Sequence, residues 1–266
     1  MSSIDAFFAT VKLPTISEVA QQLIQTLNND DAGIKEVSDI IAKDPALTAK
    51  LLRLANSAQF GLPRGVATLG EAIHMVGMSK VRTLSLAACM NDSFPALPGL
   101  NAHEFWRSSM ACAGYAQWLA SAVGVDGQQA WLTGMMLRLG ELLIGQANPT
   151  ALAEIEKQPC PPGARWEREK QTIGFAEGQI TAELARRWNF PTPIIKALEH
   201  AFTPLAEPAF SKLAGILHLT GILADLPEAS SDAVDHLPAE LISKLGLDVA
   251  WMKSKFPPAD SFISIT

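Results

Sequence analysis

The chain has 266 residues, of which 48% are hydrophobic and 18% charged, with a formal net charge of −6 and a pI of about 5.4. This composition supports a sizeable buried core and excludes a disordered chain. Because an acidic surface does not attract phosphate backbones, nucleic acid is not an expected partner.

The sequence contains no window close to the roughly 20 uncharged apolar residues that a membrane span needs. Residues 1–10 also lack a basic region followed by an apolar run. We therefore expect a cytoplasmic protein without membrane association. Cys89, Cys112 and Cys160 lack the spacing of metal ligands, and the first two lie in apolar runs, which favours reduced core residues over reactive thiols. No cofactor is predicted.

Helical periodicity dominates the beginning of the chain, where apolar residues recur at intervals of three and four. The three successive sets are Ile16, Val19, Ala20, Leu23, Ile24 and Leu27; Ile34, Val37, Ile40 and Ile41; and Leu47, Leu51, Leu54, Ala55 and Ala58. Asp44 and Pro45 supply an N-cap oxygen and a first-turn proline to the third set. The capping-type pairs Thr68–Glu71, Asn101–Glu104 and Asp126–Gln129 predict further helix starts.

Glycines and prolines mark the ends of these segments, at Gly61, Pro63 and Gly65, at 95–99, at Gly124, at 159–163, and at Pro191 and Pro193. The segments 78–89 and 131–144 are apolar on nearly all sides, which predicts central helices covered by their neighbours. No alternating strand of useful length is present. The sequence therefore predicts an all-α, multi-helix bundle of roughly thirteen helices, with an internal boundary at 95–99.

One run carries the most specific pattern: Asp44-Pro45-Ala46-Leu47, then Leu51-Leu52, then Asn56-Ser57-Ala58. A capped amphipathic helix in which Asn56 and Ser57 bond to nearby backbone is an adequate physical account of it. The same run is accompanied by Leu13-Pro14, Ala72-Ile73, Val76-Gly77, Phe105-Trp106-Arg107 and Trp188-Asn189-Phe190-Pro191.

Together these motifs resemble the HDOD family, whose name denotes an HD-related output domain. The resemblance covers residues 10–205 and implies a helical bundle of the HD-superfamily type. It divides the chain into an N-terminal helical layer (10–94), an HD-like bundle (100–205) and C-terminal helices that complete the bundle (206–266). Asp44, Pro45, Leu47, Asn56 and Ser57 are the family-motif positions.

The resemblance also implies where metal ligands would stand in a catalytic HD protein, which uses a His, a later His-Asp pair and a distant Asp. The matching residues here are Ser108, then Leu137 and Arg138, then Thr220-Gly221 with Asp225 a turn later. Glu141 and Glu177 stand where family members often have a Lys and a further His. Leucine cannot coordinate a metal and arginine is a permanent cation. We therefore predict no catalytic and no metal-binding residue.

Arg138 lies on an almost wholly apolar segment, where an unpaired buried charge is costly. Glu141, one helical turn further on, and Glu177 are its predicted partners, and the alternative is that Arg138 reaches solvent at the end of its helix. His218 is expected to be a hydrogen-bonded core histidine. The mixed charges of 165–170 indicate a solvated helix face.

Three functions remain open. The first is a non-catalytic signal-transduction module that binds protein partners, in keeping with the resemblance, with exposed Trp or Phe side chains as candidate contacts. The second is a metal-dependent phosphohydrolase acting on nucleotides or cyclic dinucleotides, which depends on fold analogy. The third is a small-molecule sensor that uses the cavity left by the lost metal site.

Overall fold

The computed structural model describes residues 4–29, 31–57, 60, 65–95, 97–156, 161–206, 208–226, 229–258 and 261–262. Within these residues it contains sixteen α-helices, a 3-10 helix and no strand, which confirms the predicted all-α class. The helices are more numerous than the thirteen expected, partly because one predicted helix is divided in two. Gly61, Pro63, Pro159 and Cys160 fall outside the described residues, as does Ala58.

The chain divides into two compact units, and the first, the N-terminal unit, comprises residues 14–95 with Trp188–Pro191. Its helices are α2 (Glu18–Leu27), α3 (Ile34–Ala42), α4 (Pro45–Ala55), α5 (Leu69–Val76) and α6 (Met78–Ser93). Helix α6 packs against α2, α4 and α5. Its residues 83–90 are all buried, as predicted for a helix with neighbours on every side.

The helix starts predicted in the N-terminal unit are confirmed by their capping bonds. The Asp44 carboxylate accepts from the backbone N–H groups of Ala46 and Leu47, and Pro45 takes the first helical position of α4. Thr68 and Glu71 form a complete capping box at α5. These bonds satisfy N–H groups that have no partner within the helix.

The second, the C-terminal unit, contains α1 (Ile4–Thr10) and all helices after residue 96. These are α7 (Ala102–Val123), α8 (Gly127–Met136), α9 (Leu139–Ala147), α10 (Pro149–Glu156), α11 (Ala164–Ile173), α12 (Glu177–Arg187), α13 (Thr192–Glu199), α14 (Lys212–Ala224), the 3-10 helix Ser231–His236, α15 (Ala239–Leu245) and α16 (Val249–Ser254). Helix α7 packs against α8 and α14, and α12 packs against α9 and α13.

The predicted single helix at 131–144 is wrong, because the helix breaks between Met136 and Leu139. The Thr181 hydroxyl of α12 enters the break, where it accepts from Gly140 N–H at 2.7 Å and donates toward the Leu137 carbonyl at 3.2 Å. A side chain inserted into the helical hydrogen-bond ladder is a known cause of such breaks. The break leaves Arg138 just before the start of α9.

Candidate functional site: a buried charge network beside a cavity

Arg138 lies in the interior of the C-terminal unit, with 8% of its surface exposed. Its Nη2 donates to Oδ1 of Asp225, the residue that follows α14. Asp225 Oδ2 also accepts from the backbone N–H of Gly163 at 3.3 Å. Burial lowers the pKa of Arg138, but Asp225 and Glu177 raise it by more, so the guanidinium remains charged.

The predicted partner Glu141 pairs instead with a second buried arginine, Arg165 of α11, at 3.3 Å. Arg165 Nε also contacts Glu169 at 2.9 Å and Glu177 at 3.8 Å, and its Nη1 contacts Glu156. One guanidinium is thus shared by four carboxylates.

The solvated face predicted for 165–170 is wrong for two of its members, since Arg165 is 9% and Glu169 0% exposed. Arg165 and Glu169 are four residues apart on the same side of α11, and the large apolar Trp166 is next to them. That spacing was the one sequence signal that could have indicated a buried pair.

Glu177 begins α12 and is held from two directions. Trp166 Nε1 donates to its Oε1 at 3.1 Å, and its own backbone N–H donates to Glu169 Oε2 at 2.7 Å. It therefore belongs to the carboxylate set around Arg165, while its charge also favours the charged form of Arg138.

Burial changes the protonation of these carboxyl groups. It raises the pKa of Glu141 to about 7, against the opposing effect of Arg165. Burial likewise raises the pKa of Glu169 and of Glu177, each partly offset by Arg165. Because the carboxyl groups outnumber the two guanidinium groups, the network retains protons near neutral pH that a solvated carboxyl would have lost.

A cavity of about 430 Å³ adjoins this network within the C-terminal unit. Of the residues that the resemblance matched to HD site positions, Ser108, Arg138 and Glu141 line it. Leu137 is fully buried and Glu177 is 1% exposed, and neither lines the cavity. The wall also includes Asp225, which lies one turn after the last matched position, and Tyr115, which the sequence did not indicate as a cavity residue.

The HD superfamily implies a metal at this place, and the residues present do not fit one. The sequence resemblance matches Ser108, Leu137 and Arg138 to the ligand positions, and the guanidinium of Arg138 is paired with the carboxylate of Asp225. Among the residues that the structure describes, no three His, Cys, Asp or Glu side chains are grouped to hold a metal ion. A fixed cation repels a divalent ion from its surroundings.

The family-motif residues lie in the N-terminal unit and do not line this cavity. The Asn56 side chain donates to the Leu52 and Val66 carbonyls, each at 2.8 Å, and accepts from Val66 N–H at 2.7 Å. Asn56 therefore fastens the end of α4 to the segment before α5. The prediction for Ser57 is wrong, because its buried hydroxyl has no hydrogen-bond partner among the described residues.

The other residues that the sequence singled out, His218, Cys89 and Cys112, do not line the cavity. His218 Nδ1 bonds to the Ala201 carbonyl at 2.8 Å, and burial lowers its pKa. Cys89 and Cys112 are buried and free. All six Trp and eleven Phe residues are buried or half-buried, so none is a fully exposed candidate for the expected aromatic contact surface. No helix in the described part of the chain has the length and apolar character needed to cross a membrane.

The all-helical fold and the altered ligand positions define a degenerate domain of the HD superfamily. The chain belongs to the HDOD family, whose domain model matches residues 13–204. A protein of Treponema pallidum is 26% identical over 207 residues, which are 76% of this chain and 40% of that protein. The chain thus spans less than half of the length of this relative.

Solved structures agree with this assignment. The "Putative phosphohydrolase" of Shewanella amazonensis is 30% identical, with a TM-score of 0.75 over 91% of this chain and 89% of that chain. An HDOD domain protein of unknown function from Geobacter sulfurreducens is 22% identical, with a TM-score of 0.74 over 95% and 93% of the two chains. A "Putative signal transduction protein" from Marinobacter aquaeolei is 20% identical, with a TM-score of 0.77 over 96% and 58%. The last two support the fold alone.

Proposed function

We propose that this chain is a non-catalytic signal-transduction module that acts by binding another protein. The observation that supports this most directly is the buried pair between Arg138 and Asp225. By the resemblance, Arg138 puts a permanent positive charge at a position where a catalytic HD protein needs a metal ligand. The same charge is paired with the carboxylate of Asp225. The name of the Marinobacter structural neighbour refers to signal transduction.

The competing function is a metal-dependent phosphohydrolase, and the Shewanella relative is named a phosphohydrolase. The discriminating experiment is elemental analysis of protein purified from medium supplemented with iron, manganese, nickel and zinc. It is combined with hydrolysis assays on nucleotides and cyclic dinucleotides in the presence of each metal. We expect substoichiometric metal and no turnover above the protein-free rate. Stoichiometric metal together with turnover would contradict the proposal.

Exposed apolar side chains indicate where a partner protein would bind. Among the residues that the structure describes, the exposed large apolar ones are Ile34 and Met75 in the N-terminal unit and Leu205 and Val249 in the C-terminal unit. Met75 lines a surface hollow of about 290 Å³ together with Val66, Gly70, Glu71 and His74. A hollow with an exposed apolar side chain can receive an anchor residue from a partner, so we assign the contact to this surface, the Met75 hollow.

Met75→Glu and Leu205→Glu form a matched pair for this assignment, because both residues are 39% exposed and only Met75 lines the hollow. Each tagged variant is expressed in the native cell, crosslinked and purified, and bound proteins are quantified by mass spectrometry. We expect a specific partner that is depleted about tenfold by Met75→Glu and retained by Leu205→Glu. Recovery of no protein above background, or equal recovery with both variants, would contradict the assignment.

A further inference from the structure

Two residues in the wall of the cavity, Tyr115 and Arg138, each have a buried hydrogen-bond donor without a partner among the described residues. Tyr115 is 1% exposed and lines the cavity, and its hydroxyl has no partner in the described part of the protein. Arg138 is 8% exposed, and its Nε also has no hydrogen-bond partner in the described part of the protein. A buried donor without a partner costs about 1–3 kcal/mol, so two of them beside one cavity favour a molecule that brings acceptor oxygens.

The charges of the cavity wall favour a cation as well. Its acidic residues are Glu104, Glu141, Glu156 and Asp225, and its basic residues are Arg107 and Arg138. Glu104 and Arg107 pair at 3.2 Å on the exposed side, and Arg138 pairs with Asp225. The other two acidic residues of the wall, Glu141 and Glu156, both pair with Arg165. The guanidinium of Arg165 also contacts Glu169 and Glu177. Because these carboxyl groups outnumber the guanidinium that they share, they retain protons near neutral pH, and a protonated amine in the cavity can take the place of such a proton.

We infer that the cavity binds a small zwitterion that carries a carboxylate and a protonated amine, of which an α-amino acid is the simplest example. The carboxylate accepts from Tyr115 and Arg138, and the amine is attracted by Glu141 and Glu156. The volume of about 430 Å³ lies in the usual range of ligand sites. This inference goes beyond the proposed function, because binding requires no protein partner.

The test uses the purified full chain alone, so its outcome is independent of the search for a protein partner. Each proteinogenic amino acid is titrated singly in thermal-shift and calorimetric experiments. The matched probes for any amino acid that binds are its decarboxylated amine and its deaminated acid. We expect at least one amino acid to bind saturably, and each matched probe to bind about tenfold more weakly or worse. Absence of binding by all amino acids, or equal binding of the truncated probes, overturns the inference.

Two isosteric variants locate the binding. Tyr115→Phe removes only the buried hydroxyl without a partner, so the fold is expected to persist. Thr220→Val is the control, since Thr220 is also fully buried with an unpartnered hydroxyl but does not line the cavity. We expect Tyr115→Phe to weaken binding about tenfold and Thr220→Val to leave it unchanged. Unchanged affinity in Tyr115→Phe, or equal loss in both variants, overturns the assignment to this cavity.

Discussion

Arg138 donates through its Nη2 to the carboxylate of Asp225, across 87 residues of sequence, in the wall of a cavity. The side chains of the pair are 9% and 15% exposed. In this environment each charge depends on the other, because removal of one leaves an uncompensated charge in a region of low dielectric.

Arg138→Met is expected to lower the free energy of unfolding by about 3–5 kcal/mol, because it leaves Asp225 without its cation. Asp225→Leu alone should lower the free energy of unfolding by a similar amount, because it leaves Arg138 without its anion. The double variant should recover most of the loss, since an apolar pair of similar size often replaces a buried ion pair with little cost. Urea denaturation of the four proteins gives the coupling energy. Additive losses in the double variant would show that the two side chains do not depend on each other.

The sequence was sufficient for the helical class, for the family and for most helix starts. Each of these depends on short-range information: apolar periodicity, capping residues such as Asp44 and Thr68, and motif spacing. The partner of Arg138 could not be obtained in this way. Asp225 is brought to Arg138 by the packing of α14 in the folded C-terminal unit, and the sequence pointed to it only as a residue near the last HD ligand position.

Arg165 was missed for a related reason. Alternating charges are typical of solvated helices, and composition does not distinguish a helix that turns Arg165 and Glu169 inward from one that exposes them. The break before α9 was equally hidden, because it depends on a hydroxyl from α12, 41 residues further along the chain. In each case the decisive contact joins elements that are distant in sequence.

Gly140 is predicted to be intolerant of a side chain. A Cβ built at Gly140 would lie 2.2 Å from the Glu177 carbonyl oxygen, which is backbone and cannot rotate away. Gly140→Ala should therefore cost about 3 kcal/mol or more, as the substitution forces α9 and α12 apart. The control is Gly70→Ala in α5, where a Cβ meets nothing within 4 Å.

The control substitution should be neutral or stabilise by up to about 1 kcal/mol, because alanine is the better helix former. Chemical denaturation of both variants measures the difference. If the two substitutions had equal effects, the close approach of α9 and α12 would have no energetic consequence.

Asn56 and Ser57 are adjacent in the family motif, and we expect their substitutions to differ. Asn56→Ala removes the bonds to both polar groups of the Val66 backbone and should destabilise the N-terminal unit by about 1–3 kcal/mol. Ser57→Ala removes a buried hydroxyl that has no partner among the described residues, so it should be close to neutral. Hydrogen exchange at the Val66 amide is the most direct measurement, and faster exchange in Ser57→Ala than in Asn56→Ala would contradict the assignment.

The buried carboxyl groups around Arg165 should make a contribution to stability that falls as the pH rises from about 5 to about 7, and the lowered pKa of His218 opposes it below about 6.5. The pKa of Glu141 is raised to about 7 by burial, above its usual value near 4.5. Between these two values the folded protein binds a proton that the unfolded chain has released, so raising the pH favours unfolding by at most about 1.4 kcal/mol per pH unit for one such group. The raised pKa values of Glu169 and Glu177 act in the same direction.

Glu141→Gln should flatten this dependence, because the amide does not ionise and its neutral form resembles the protonated acid. The measurement is the urea midpoint at pH 5, 6 and 7, with Glu240→Gln at an exposed position as the matched control for loss of a carboxyl group. The slope should decrease in Glu141→Gln relative to that control, and most of the remaining slope should be due to Glu169 and Glu177. If Glu141→Gln and Glu240→Gln gave the same slope, Glu141 would be ionised in the folded protein throughout this range.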